Sequence, residues 1–360
     1  MMPFLSLSFL SCCTLINTKD PGKVSEPEIP DPPITPPIEN KGGKALRVNG
    51  NLIEYGADGE YKTVVLRGVN VGDLYHFSKN RFFRPPDYNR IAQSLNANCI
   101  RIAVHPNLWR NEKLHVLACL KENVRDALAA NLFIIVDYHT IGFPNGYVQF
   151  LNDGVISYDS DFNLAKDFWD TISREITDGR VLYELWNEPA SSANVYYDTR
   201  HWGNLKPWWE TLMGIIRNNG SENICIAGGD VWTHELRGIK GNPIQDGNTA
   251  YAWHLYANEM NNSPAEWEEK LDGLYNVRPV LVTEWGYSTV AGADEYAPES
   301  VFADKFVNDF LINRNLHSMA WGYDPYYTPS MLVNGEYNRL NRFGQYVVDY
   351  LTSTLQEFPD

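Results

Sequence analysis

One repeated alternation constrains this chain more than any other feature. Eight short apolar runs recur along it: Thr63–Val71, Cys99–Val104, Leu132–His139, Val181–Asn187, Ile224–Gly229, Ala250–Tyr256, Val280–Glu284 and His317–Tyr323. Helical patterns lie between most of them, at Asp87–Asn96, His115–Asn131, Asp161–Ile176, Pro207–Arg217, Pro264–Leu274, Ser300–Asn313 and Arg342–Leu355. In the second, Val116, Leu117, Leu120, Val124, Ala127 and Leu128 recur at three-and-four spacing, which makes one apolar face. Eight strands alternating with helices over about 300 residues predict a closed (β/α)8 barrel. An open doubly wound sheet is the competitor, and it usually carries a glycine-rich phosphate turn after its first strand. Here that place reads Leu66-Arg67-Gly68-Val69-Asn70-Val71-Gly72-Asp73, which is no such turn. Upstream, Leu46–Tyr55 with Asn49-Gly50 at its turn predicts a short N-terminal β-hairpin.

The N-terminal residues read differently. Met1–Ile16 is apolar but shorter than the roughly 20 residues that span a bilayer. Residues 1–17 are therefore expected to be an export signal, although no Lys or Arg precedes Lys19. Cys12 and Cys13 stand where a lipoprotein signal places its acylated cysteine, and Leu10-Ser11-Cys12 matches that box loosely. An ordinary signal that happens to contain cysteines is the equal alternative. The expected location is extracytoplasmic, either secreted or held at the cell surface by a lipid on Cys12 or Cys13. Residues 18–43 contain seven of the 21 prolines, which predicts an extended, solvated spacer. Residues 44–360 are then one catalytic barrel.

Composition narrows the function. Thirty Lys and Arg against 45 Asp and Glu give a net charge of −15, so no positive footprint for nucleic acid is visible. Cys99, Cys119 and Cys225 form neither a disulfide framework nor a zinc pattern. Eleven Trp and 21 Tyr suit a surface that stacks sugars, because their faces are apolar and their tips form hydrogen bonds.

In a (β/α)8 barrel the C-terminal strand ends face the active site. Those ends carry Arg101 on strand 2, Asp137-Tyr138-His139 on strand 3 and Trp186-Asn187-Glu188-Pro189 on strand 4. Strand 6 ends in Trp253-His254-Leu255-Tyr256, strand 7 in Thr283-Glu284-Trp285-Gly286 and strand 8 in Trp321-Gly322-Tyr323-Asp324. Polar and aromatic groups thus gather at one end, while the strand starts are apolar. Glu188 and Glu284 end strands that lie across the mouth from each other. A protonated and an ionised carboxyl facing a small gap are what glycosidic cleavage requires. Either Glu alone reads as a salt bridge with a neighbour such as Arg101.

Taken in order on these strands, the motifs resemble glycoside hydrolase family 5, a cellulase-rich family of retaining (β/α)8 enzymes. Leu185-Trp186-Asn187-Glu188-Pro189 resembles its acid/base motif and Val282-Thr283-Glu284-Trp285-Gly286 its nucleophile motif. Arg101, His139, His254-Leu255-Tyr256 and Trp321 are similar to its other strand-end residues. The resemblance, over about residues 46–355, implies roles. Glu188 is general acid and then base, and Glu284 is the nucleophile. Arg101 and Tyr256 hydrogen-bond Glu284, and Asn187 holds a sugar 2-hydroxyl. His139 and His254 position hydroxyls or the acid/base, and Trp321 is the sugar platform.

The expected activity is a retaining endo-β-1,4-glucanase acting on a β-linked polysaccharide, with mannanase, xyloglucanase and mixed-linkage glucanase as alternatives within the family. From other classes, a silent polysaccharide-binding barrel and a transglycosylase are weighed against it. His105, Trp109 and Tyr326 are further candidates for the cleft. Trp202 and Trp232 are placed in loops that could line it. Asp137-x-His139 with His254 and Glu284 could suggest a metal site, but no His-x-His pairing supports one, so neither metal nor cofactor is expected. A monomer is expected.

Overall fold

The computed structural model describes residues 30–80, 82–148, 158–190, 201–257, 263–291, 293 and 295–355. Eight parallel strands close into a barrel: Arg67–Asn70, Cys99–Val104, Phe133–Tyr138, Val181–Glu184, Cys225–Gly228, Thr249–Tyr256, Val280–Gly286 and His317–Ala320. Each pairs with its sequence neighbours, and the eighth closes on the first through Ser318–Arg67, Met319–Gly68 and Ala320–Val69. Gly68 permits the close approach of the first two strands. A Cβ there would lie 1.7 Å from the Cys99 carbonyl oxygen.

The first apolar run divides in two. Glu60–Val64 pairs antiparallel with Leu52–Ala57, which pairs with Ala45–Asn49, so the expected hairpin is part of a three-stranded sheet. The added turn is Asp58-Gly59, with φ of +53° and +87°. Two consecutive positive φ values are what a tight two-residue hairpin demands, and Asp-Gly supplies them at low cost. Only Arg67–Asn70 of that run enters the barrel.

Two apolar layers result from the alternation of side chains along each strand. Inward residues Cys99, Phe133, Ile135, Leu182, Ile226, Leu281 and Met319 pack with Leu46, Ile53, Tyr55 and Val64, so the small sheet plugs the N-terminal end of the barrel. Outward residues such as Ile100, Ile134, Tyr183 and Val282 meet the helices through Val124, Phe168, Trp169, Leu212, Trp267, Phe306 and Val347.

The helices depart from expectation mainly at their starts. The second long one begins at Pro106 and is irregular at Glu112. Another begins at His201 and contains Pro207 within it. Asp304–Ile312 is a wide π-type helix. None of the helices among the described residues is long and apolar enough to cross a membrane.

The expected export signal, and the spacer as far as residue 29, lie outside the described residues. The end of the proline-rich stretch is extended but docked. Ile38 is buried, its N–H donates to Glu175 O at 2.8 Å, and its carbonyl accepts from Thr177 N at 2.7 Å. Lys121 Nζ donates to Thr35 O at 2.8 Å. The compact unit therefore begins near Pro32 rather than at residue 44.

Candidate active site

Arg101 lies inside the barrel because it shares the inward phase of Cys99, and it is fully buried. A buried guanidinium must have its donors satisfied and its charge matched. Nε donates to Glu184 Oε2 at 2.6 Å. Nη1 donates to Glu284 Oε1 at 2.7 Å and to Asn70 Oδ1 at 3.0 Å. Nη2 donates to Asn187 Oδ1 at 2.8 Å and faces Asp137 Oδ2 at 3.0 Å. One side chain from strand 2 thus ties together groups from strands 1, 3, 4 and 7. Asn70 is fixed in turn by donating to the carbonyls of Thr283 and Met319.

Glu284 has both oxygens held. Oε1 accepts from Arg101, and Oε2 accepts from Tyr256 Oη at 2.7 Å. Burial alone would raise this carboxyl, but the cations of His254 and Arg101 outweigh it and hold it below its ordinary value. His254 shows the reverse balance. Burial disfavours its charge, yet Glu284, Glu184 and Glu188 push it up to about 10, so it is an imidazolium near neutrality. Its Nδ1 lies 2.9 Å from Glu188 Oε1. Its Nε2 lies 3.0 Å from Thr283 Oγ1, which donates to Glu184 Oε1 at 2.9 Å. Glu184 is also fully buried, and Arg101 and His254 overcome that burial to hold it down to about 2.

Glu188 is fixed through its backbone, with its N–H donating to Thr140 O and its carbonyl accepting from Gly142 N, both at 3.0 Å. One carboxylate oxygen of Glu188, one of Glu284 and a ring nitrogen of His254 all lie within 4.8 Å of one another. Among the described residues this is the one His and carboxylate cluster spaced to hold a cation. Its chemistry is poorly suited to that, because His254 is charged and both its nitrogens already face partners. A metal would have to displace that proton.

On strand 3, His139 Nδ1 lies 2.6 Å from Asp137 Oδ2, and its ring is parallel to Trp321, 6° apart in plane and 5.6 Å between centroids. Burial drives His139 well below its usual range, so it is neutral. Burial raises the Asp137 carboxyl well above its usual range, with Arg101 opposing. His105 is buried beside His139, and its Nδ1 lies 2.8 Å from Asp73 Oδ2. Tyr326 stands on the rim, 46% exposed.

Two tryptophans expected at the cleft are elsewhere. Trp109 is buried in the Pro106–Ala129 helix, edge-on to Phe168, with Nε1 donating to Asp167. Its position after strand 2 suggested a loop, but Pro106 opens a helix there. Trp202 is also helical and buried, donating to Asn242 O. Trp232 is half-buried on the turn after strand 5, and its backbone N–H donates to Pro189 O at 3.0 Å.

Glu184, Thr283, Asn70 and Asp73 were not singled out from sequence. For Glu184 a signal existed, since a lone carboxylate in a fully covered strand is costly unless something holds it. Asp324 was noted only as part of a loop motif. It is fully buried, and its Oδ1 accepts from Tyr326 N at 2.8 Å and Tyr327 N at 2.7 Å.

A closed barrel with facing carboxylates at the C-terminal mouth defines a barrel hydrolase of the glycosidase type. The chain belongs to the cellulase family, glycosyl hydrolase family 5, whose model matches residues 57–326. It is 26% identical over 272 residues to cellulase CelDZ1 of a Thermoanaerobacterium, covering 72% of this chain and 65% of that protein. It is 29% identical over 208 residues to endoglucanase A of Evansella cellulosilytica, covering 56% of this chain and 37% of that one. It thus spans less than two thirds of the length of both relatives. Among solved structures, the native β-glucanase SdGluc5_26A of Saccharophagus degradans is 25% identical with a TM-score of 0.76, covering 91% of this chain and 99% of that one. The catalytic domain of Thermobifida fusca endoglucanase Cel5A shares the fold at 22% identity and a TM-score of 0.69, covering 86% and 97%.

Proposed function

We propose that this protein hydrolyses a β-glucan with retention of configuration, as an endo-β-1,4-glucanase. The spacing of the two carboxylates carries the reading. One oxygen of Glu188 and one of Glu284 lie within 4.8 Å of each other, which fits carboxyl groups set roughly 5–5.5 Å apart, as in retaining enzymes. The cellulase and endoglucanase names of the relatives favour β-glucan among the family's substrates.

The residues divide the work. Glu284, kept ionised by His254 and Arg101, attacks the anomeric carbon, and the bond to the leaving sugar breaks. Glu188 gives its proton to the leaving oxygen. Glu188 then takes a proton from water, whose oxygen displaces Glu284 from the sugar. Asn187, its Oδ1 held by Arg101, presents its amide nitrogen to the 2-hydroxyl. Trp321, stacked with His139, forms the floor beneath the reacting sugar. A polymeric substrate also fits export under the signal read in residues 1–17.

The test is release of reducing ends from carboxymethyl-cellulose, with NMR of the first product anomer. The wild type is expected to release β-anomer first, and Glu284→Gln to lose about four orders of magnitude or more in kcat. An α-anomer formed first would overturn the retaining mechanism. Activity confined to mannan or xyloglucan would overturn the substrate assignment.

A further inference from the structure

The reaction geometry gives the cleft a direction. Glu188 protonates the leaving oxygen, so the leaving chain passes the strand 4 side. Trp321 ends strand 8, four strands away in an eight-strand ring. The glycone chain therefore runs toward strands 8 and 1.

Aromatic rings continue along that side. Tyr327 lies 5.8 Å from Trp321, Phe77 lies 5.5 Å from Tyr327, and Tyr326 lies 4.8 Å from Phe77. The buried members, Tyr327 aside, form the wall. Tyr326 is 46% exposed, and Phe82 is 74% exposed. Among the described residues three aromatic side chains are strongly exposed, and these are two of them.

Tyr326 is also rigidly held. Pro325 precedes it, Asp324 Oδ1 accepts its N–H, Phe77 packs on its ring, and Asn80 Nδ2 donates to its hydroxyl at 2.6 Å. The same Asn80 side chain accepts from Phe82 N at 3.0 Å, so one amide joins the loop after strand 1 to the loop after strand 8. Fixing a half-exposed ring by its backbone, face and tip lowers the entropy lost when a flat apolar partner binds it. Sugar rings have such faces.

We propose that Tyr326 and Phe82, joined by Asn80, form a distal glycone-side sugar subsite, several rings from the bond that is cleaved. The proposal rests on the β-glucan reading above. It makes the enzyme selective for longer chains.

The experiment uses p-nitrophenyl β-glycosides of cellobiose through cellopentaose, with the aglycone constant so that length changes only the glycone side. Release of p-nitrophenol gives kcat/KM for the full chain, Tyr326→Ala, Phe82→Ala, the double variant and Tyr326→Phe. The wild-type value is expected to rise with length. The double variant is expected to lose about tenfold on the longest substrates and to stay within about twofold on the cellobioside. Tyr326→Phe keeps the ring and should keep the length preference. Equal losses at every length, or a wild type active without length preference, would overturn the subsite and leave the glucan reading intact. A wild type inactive on the whole series would overturn both.

Discussion

The two ends of the barrel interior solve opposite problems with the same strands. At the N-terminal end, Leu182, Phe133, Leu281 and Met319 meet the plug of Leu46, Ile53 and Val64, and contacts are apolar. Two residues further along strand 4 from Leu182, the side chain on the same face is Glu184, and it meets Arg101. At this C-terminal end five ionisable groups, Arg101, Asp137, Glu184, Glu284 and His254, are almost wholly buried. Apolar burial favours folding outright. Buried charges add little net stability even when paired, but they fix position and ionisation. The comparison teaches that stability is concentrated below the site, which frees the mouth to hold charges that catalysis needs.

That division is broken most strongly by Arg101→Met. Glu184, Glu284 and Asp137 would lose their shared cation, and an uncompensated buried charge costs about 3–5 kcal/mol. Activity should fall with stability, by about a thousandfold or more, because Glu284 loses its aim. Leu182→Ala at the other end should cost a similar about 2–5 kcal/mol through cavity formation. Its kcat/KM at a temperature where it stays folded should match the wild type within about twofold. Chemical unfolding with kcat/KM on one soluble glucan checks both. A large catalytic loss in Leu182→Ala would show that the two ends are not separable.

A smaller effect sharpens the picture within the mouth. His254 is the largest influence holding Glu284 low against burial. His254→Gln removes that cation, so the Glu284 carboxyl should rise. The acid limb of the kcat/KM profile would then move to higher pH by about one unit or more. An unmoved acid limb would mean that Arg101 and Tyr256 suffice.

The sequence made these two ends unequally legible. Eight apolar runs revealed the barrel, because strands covered on both faces cannot be mistaken for alternating surface strands. The strand-end polar residues were visible because they interrupt those runs. The three-stranded plug was partly missed: Asp58-Gly59 was a turn signal, but Thr63–Val71 looked like one strand, whereas Glu60–Val64 and Arg67–Asn70 belong to different sheets. Trp109 and Trp202 were misplaced because an aromatic after a strand looks the same whether a loop or a helix follows. The linkage of Glu184 to Thr283 and His254 could not be read at all, since it depends on side chains brought together from three distant strands.

The last predicted effect lies at the strand starts. His317 is buried at the beginning of strand 8, where its Nδ1 accepts from Leu66 N at 2.9 Å. Burial, with the Arg67 charge adding, lowers it to about 3. An unfolded chain takes up this proton near pH 6.5, whereas the folded one resists until about 3. The stabilisation is therefore full above pH 6.5 and is lost as pH falls toward 3. Within that window it contributes a slope of at most about 1.4 kcal/mol per pH unit. His317→Gln should flatten the fall in unfolding free energy between pH 6.5 and 4, although it is less stable at pH 7 if its amide fails to accept from Leu66 N. Unfolding measured across that range separates the slope from the offset. An unchanged slope would place the acid sensitivity in the charged mouth, which would reverse the assignment of stability to the opposite end.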